Sequence, residues 1–279
     1  MDLGINMFAT DYSIRPDDLA REVEARGFDS LWFPEHTHIP VSRKTPFPGG
    51  GDLPKQYWHS HDPFVSLMAA AAATTTLKVA TGICLVIERD TLTMAKEIAS
   101  LDVLSDGRFL FGIGGGWNVE EMENHGTQFE TRFKKMTEQC LAMIELWTKE
   151  EPEFHGEFVD FDPVWSWPKP VSKPHPPIYH GGFTEWTRQR VVDFCDGWLP
   201  IGFSQKAILE GLADLRERAA KAGRSMDEIN VTVFGPKPAK DVLDVYAEAG
   251  VDRCTLGLPS ADRDTVLPIL DEYAELISK

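Results

Sequence analysis

A carboxylate and an imidazole stand side by side at Glu35-His36, directly after the apolar run SLWF of residues 30–33. A histidine titrates near neutrality and can give or take a proton beside a ligand, with the glutamate as its orienter. A solvated turn histidine fits the spacing equally well. The second feature is FLFGIGGGWNVEE, residues 109–121, where an apolar run ends in Gly114-Gly115-Gly116, followed by Trp117 and Asn118. Three consecutive glycines give up packing surface and cost backbone entropy, so something there requires bare main chain. The third is His180-Gly181-Gly182, which closes another apolar run just before a helical pattern starting near Thr184. Free N–H groups at a helix start bind phosphate, although ordinary strand-to-helix turns also use glycine. Taken together, the glycines imply a flat or phosphorylated ligand lying against backbone.

Other chemistries are less well supported by the residues. His36-x-His38 and His59-x-His61 have metal-ligand spacing. A metal-dependent barrel hydrolase would need further ligands on later strands. Only His180 is placed for that, and the last strand ends in GLPS without an aspartate, so no metal is expected. The dinucleotide pattern G-x-G-x-x-G opens at Gly112 and Gly114 and fails at Trp117. Neither a phosphate-binding P-loop nor a G-x-S-x-G elbow occurs. Cys84, Cys140, Cys195 and Cys254 are scattered in apolar contexts, which reads as buried thiols in a reducing compartment.

The elements that must position these residues alternate along the 279-residue chain. Strands are expected at 3–8, 30–33, 77–83, 109–114, 177–181, 197–202, 229–235 and 253–259. Helices are expected at 15–27, 62–74, 91–105, 131–148, 184–195, 205–222, 239–249 and 264–277. Asp62 is a cap candidate before Pro63, and Gly107 is a left-handed stop. Eight strand–helix units imply parallel pairing and a single (β/α)8 TIM barrel domain over residues 1–279; barrels of this kind run to about 250 residues. An open doubly wound sheet is the alternative. Two long segments interrupt the rhythm, 36–61 after the second strand and 151–176 before the fifth. The first reads as a lid or pocket wall. The second reads as carrying a short β-pair within EFVDFD and lying across a rim or an interface. Barrel sites sit where strands end, and there Glu35-His36, Gly82, the triple glycine and Gly181-Gly182 converge.

Composition narrows the partners. The net charge of −16 argues against nucleic acid and anionic membrane surfaces. Apolar runs are too short to span a bilayer, and MDLGINMF lacks a signal-peptide pattern, so the expected location is cytoplasmic.

Read in order, GFDSLWFPEHTHIP, TLKVATGICLV, LDVLSDGRFLFGIGGGWNVEE, KPHPPIYHGG and CDGWLPI resemble the luciferase-like monooxygenase superfamily, in particular its coenzyme F420-dependent oxidoreductases. The resemblance runs over nearly the whole chain. It implies a flavin or deazaflavin across the C-terminal mouth of the barrel and a non-proline cis peptide at Gly82-Ile83. It also implies cofactor contacts from His36, Gly115, Gly116, Asn118, Gly181 and Gly182, with Glu35 where an aspartate is often found. One subgroup, the sugar-phosphate dehydrogenases, carries a catalytic glutamate where this chain has Gly115; Glu120 and Glu121 lie further on, in the first turn of the next helix. That subgroup's substrate is therefore not transferred. His36 remains as proton carrier, with Glu35 to orient it. The expected activity is hydride transfer between F420 and a small organic substrate, in a pocket walled by the 36–61 loop, Trp117 and Trp58. An FMN-dependent monooxygenase is the alternative. A metal-dependent hydrolase and a non-catalytic F420 carrier are further ones. The superfamily often dimerises, so a homodimer is among the expected assemblies.

Overall fold

In the computed structural model, which describes residues 1–277, the alternating segments close into a barrel of eight parallel strands. The strands are β1 (Asp2–Asn6), β2 (Ser30–Phe33), β3 (Lys78–Thr81) and β4 (Phe109–Ile113); then, after a hairpin of β5 (Phe154–His155) and β6 (Asp160–Phe161), β7 (Ile178–Gly181), β8 (Gly197–Leu199), β9 (Asn230–Phe234) and β10 (Arg253–Gly257). The order around the barrel is β1-β10-β9-β8-β7-β4-β3-β2, and β1 closes on β10 from Asp2↔Arg253 to Asn6↔Gly257. The expected helices form as α1 (Pro16–Ala25), α3 (Pro63–Ala72), α4 (Thr91–Leu104), α6 (Arg132–Thr148), α7 (Glu185–Phe194), α8 (Gln205–Ala222), α9 (Lys240–Glu248) and α10 (Arg263–Ala274). Two short helices, α2 (Gln56–His59) and α5 (Val119–Asn124), stand in the segments after β2 and β4. Among the described residues no helix is long and apolar enough to cross a membrane.

Local chemistry explains the boundaries. Asp62 accepts from Val65 N and starts α3, Asp90 does the same for α4, and Thr184 for α7. Gly107, at φ 75°, takes the left-handed turn that ends α4. Strand side chains alternate sides. Trp32, Ala80, Leu110, Tyr179 and Leu199 fill the barrel, while the larger cluster lies between strands and helices.

The 151–176 segment differs from the expectation in the bounds of its hairpin. Its hairpin pairs Phe154–His155 with Asp160–Phe161, and so begins before EFVDFD. It lies along the flank of the barrel: Phe158 N donates to Glu138 on α6, Lys169 reaches the Leu146 carbonyl, and Ser172 donates twice to buried Asp102 on α4. These polar anchors on two helices hold it, together with buried Val159 and with Phe161 and Val164, which pack against the core.

The N-terminal end of the barrel is locked by charge. Arg253 is 3% exposed and donates to Asp29 at 2.5 Å and to Thr232; Asp29 also holds Lys78 at 2.7 Å. The cations beside Asp29 keep its carboxyl below the usual range against the opposing cost of burial. Asp29→Asn leaves the guanidinium buried without its counter-charge. It should cost about 2–4 kcal/mol in urea unfolding, because breaking a buried pair strands the partner. A loss below about 0.5 kcal/mol would mean the lock contributes nothing.

Candidate active site

At the opposite end, the backbone after β3, β4 and β7 meets in one cleft of about 320 Å³. Its floor and sides are Gly82 and Ile83, Gly114 to Trp117, and Gly181 to Thr184, with Leu199, Ile201 and Phe234 from the neighbouring strand ends and Phe133 from α6. The Gly82–Ile83 peptide is cis. The glycines are bare for a nearer reason than a ligand. A Cβ on Gly114 would stand 2.4 Å from Ile83 Cδ1, and one on Gly115 would stand 2.6 Å from Phe133 Cε1. The main chain after β4 is thus pressed between two side chains that themselves wall the cleft. Gly116 adds a φ of 64°, and Trp117 then turns into the wall.

Asn118 follows, 2% exposed, and neither its Oδ1 nor its Nδ2 has a partner within the protein. A buried amide left unpaired is costly. This orphaned group beside bare main chain fits a ligand with polar atoms, as a flavin or deazaflavin has.

His36 is paired, but not with its neighbour. Its Nδ1 lies 2.7 Å from Oε2 of Glu121, in the first turn of α5, and the two side chains are 7% and 1% exposed. The expectation that Glu35 orients His36 is corrected here. Glu35 points the other way, accepting from Leu85 N and from Arg89 Nε, each at 2.7 Å. It fastens the segment after β3 instead. The reason is geometric, since successive side chains on an extended chain face opposite sides.

Trp58 is also corrected. It is half exposed, rests on His59 and lines no part of the cleft. Its neighbour Tyr57 packs against both His36 and Trp117, with ring centroids 5.1 and 6.4 Å away, and Phe47 packs on Trp117 at 6.0 Å. The 36–61 segment therefore backs the wall residue Trp117 through Phe47 and Tyr57 without itself lining the cleft. His38 bonds Thr37 and Asn124, and His59 bonds Asp11. Among the described residues, no three metal-ligating side chains gather. All four thiols are buried, and burial pushes Cys140 up to about 12. Glu121, Phe133, Phe47 and Tyr57 are site residues that the sequence reading did not single out as such.

Behind His36 lies a second buried carboxyl, Glu88, 1% exposed, with His125 Nε2 at 3.8 Å from its Oε2. Burial first, then the charges of Glu121 and Glu35, raise it to about 9 against the opposing pull of Arg89 and Lys135. The folded protein holds this proton while the unfolded chain, at 4.5, releases it. Its contribution to stability is full below the unfolded value and is lost as pH rises through the folded one. Glu88→Gln should therefore lose less stability from about pH 6 to about pH 9. Its fall in Tm across that range should be smaller than the wild type's by about 3 °C or more, and parallel curves would mean that Glu88 does not titrate there.

Comparison with known proteins identifies the family. Residues 16–241 match the model of the family described as luciferase-like monooxygenase. An uncharacterised protein of Mycobacterium tuberculosis is 39% identical over 279 residues, covering 98% of each chain. An FMNH2-dependent dimethylsulfone monooxygenase of Pseudomonas putida is 29% identical over 143 residues, 50% of this chain and 39% of that one. A monooxygenase structure from Streptomyces bottropensis superposes with a TM-score of 0.81 at 18% identity, covering 99% of this chain and 98% of its own. An F420-dependent secondary alcohol dehydrogenase, in complex with an F420–acetone adduct, gives 0.77 at 19%, with the same coverage. These two likenesses establish the fold; the family match and the barrel-mouth cleft together establish that the chain belongs to the luciferase-like monooxygenase family of oxidoreductases.

Proposed function

We propose that the cleft binds the deazaflavin coenzyme F420 and that the chain transfers a hydride between it and a small organic substrate. The observation that carries this is the gathering of Gly82-Ile83, Gly114 to Gly116 and Gly181-Gly182 in one aromatic-walled cleft, with the His36–Glu121 pair packed behind Trp117. Main chain at Gly82, Ile83, Gly115, Gly116, Gly181 and Gly182, with the amide of Asn118, would hold the coenzyme. When bound, F420 supplies or accepts a hydride at C5 of its ring.

The protein's part is position and proton handling. In the tautomer that donates Nδ1–H to Glu121, His36 keeps a lone pair on Nε2. That atom takes the proton of a substrate hydroxyl during oxidation and returns it during reduction. Glu121 fixes the tautomer and steadies the imidazolium. Trp117, backed by Phe47 and Tyr57, keeps water from the substrate side.

A second reading, an FMN-dependent monooxygenase using the same cleft, draws on the likeness to the Pseudomonas enzyme. Titration of the purified protein with F420 and with FMN, followed by fluorescence, separates the two; the second reading also requires oxygen consumption with a flavin reductase. For the first, His36→Ala should still bind F420 while turnover falls about 10²-fold or more, the loss expected of a missing acid–base group. Glu121→Gln should fall less, about tenfold, because the imidazole remains. Unchanged turnover in His36→Ala would remove the histidine from the reaction.

A further inference from the structure

Helix α5 is six residues long, yet it carries Glu121 to His36. A helix this short is marginal without tertiary contacts. The stretch 36–45 supplies them along its whole length. At the start of α5, Val119 N donates to Thr45 Oγ1 and Thr45 N donates to Glu120 Oε2, each at 3.3 Å. In the middle stands the His36–Glu121 pair. At the end, Asn124 Nδ2 lies 2.9 Å from His38 Nε2. His125 Nε2 lies 2.7 Å from Thr37 Oγ1, which is itself 2.9 Å from His38 Nδ1. The His38 and His125 rings share that hydroxyl, with centroids 5.3 Å apart.

Donors and acceptors fix what this end requires. An amide nitrogen only donates, so His38 accepts at Nε2, carries its proton at Nδ1 and donates it to Thr37. The hydroxyl then donates to Nε2 of His125. In this arrangement both rings are neutral. A proton added to His38 Nε2 would face an amide N–H. One added to His125 Nε2 would face a hydroxyl that is already donating. Two imidazolium rings so close would also repel. Burial first, then the charges of His38 and Lys135, keep His125 below its ordinary 6.5, against the pull of Glu121 and Glu35. Glu88, 3.8 Å from His125, holds its own proton in this range and offers no counter-charge. The remaining contacts do not loosen in mild acid. A proton on His36 strengthens its bond to Glu121. Glu120, lowered by its bond from Thr45, stays ionised.

We propose that Thr37, His38, Asn124 and His125 form a latch of neutral histidines that positions Glu121 against His36, and that the latch opens in acid and frees the end of α5 from the 36–45 stretch. These are positioning residues, and none of them lines the cleft. This rests on the reading of His36 and Glu121 as the proton-handling pair. A histidine held below its unfolded value contributes stability that is full above that value, here 6.5, and is lost as pH falls through the folded one. The latch is therefore closed at neutral pH and opens below it.

Hydrogen exchange of the whole protein reads the latch without any substrate, at the amides of Met122, His125, Gly126 and Thr127, which bond within and just after α5. Corrected for intrinsic rates, their protection in wild type should fall about threefold or more from about pH 7.5 to about pH 5.5. Thr37→Val removes the shared hydroxyl. It should lower protection about threefold already at the upper pH, with little further fall in acid, and Thr37→Ser should behave as wild type. His125→Gln keeps a partner for Thr37 that does not titrate and should lose most of the acid fall. Turnover with F420 is the second readout. Thr37→Val should lower kcat about threefold with the KM for F420 within about twofold, and Thr37→Ser should restore it. Protection that is independent of pH in wild type, or an undiminished acid fall in His125→Gln, would overturn the latch. A latch seen in exchange, with kcat unchanged in Thr37→Val, would overturn its positioning of Glu121. If wild type turns over no substrate with F420, the hydride-transfer reading falls, and exchange alone decides the latch.

Discussion

The mouth of this barrel depends on how closely the chain after β4 is packed. Ile83 and Phe133 approach Gly114 and Gly115 so nearly that a Cβ at either position would make the facing side chain shift. Because Ile83 follows a cis peptide after β3 and Phe133 stands on the first turn of α6, this one contact joins two strand ends and a helix. It brings Trp117 into the wall and sets Asn118 in the interior with its amide unpaired. It also starts α5 where Glu121 meets a histidine 85 residues earlier in the chain. A side chain at either glycine would displace the wall residues first and the ligand space second. Bare main chain here matches the close packing of the two wall side chains.

The barrel could be read from the chain because its signals are local. Apolar strands, amphipathic stripes and caps such as Asp62 and Thr184 act within a few residues, so the eight strand–helix units stand within a few residues of where their patterns put them. The cleft glycines were legible for a related reason: they sit at strand ends, and a closed parallel barrel carries all its strand ends to one rim. What was not legible is which way single side chains point. Glu35 and His36 are neighbours on an extended stretch and so face opposite sides, one toward Arg89 and the other toward Glu121. Tyr57 and Trp58 are neighbours on a helical turn, and only Tyr57 reaches the site. In VEEMEN nothing local separates Glu121 from the acids around it; the difference is burial, which the fold alone decides.

Three buried carboxyls near the site illustrate how environment divides identical groups. Glu35 faces a guanidinium and two segments to hold, and serves as a fastener. Glu121 faces an imidazole, its Oε2 2.7 Å from His36 Nδ1. Glu88 faces the other two acids, with only distant help from Arg89 and Lys135, and keeps its proton. Ionisation of all three would set three negative charges around one guanidinium, Arg89. A neutral Glu88 limits that field. The mouth then has the His36–Glu121 pair packed behind Trp117 on one side and the guanidiniums of Arg132 and Arg190 against Phe133 on the other.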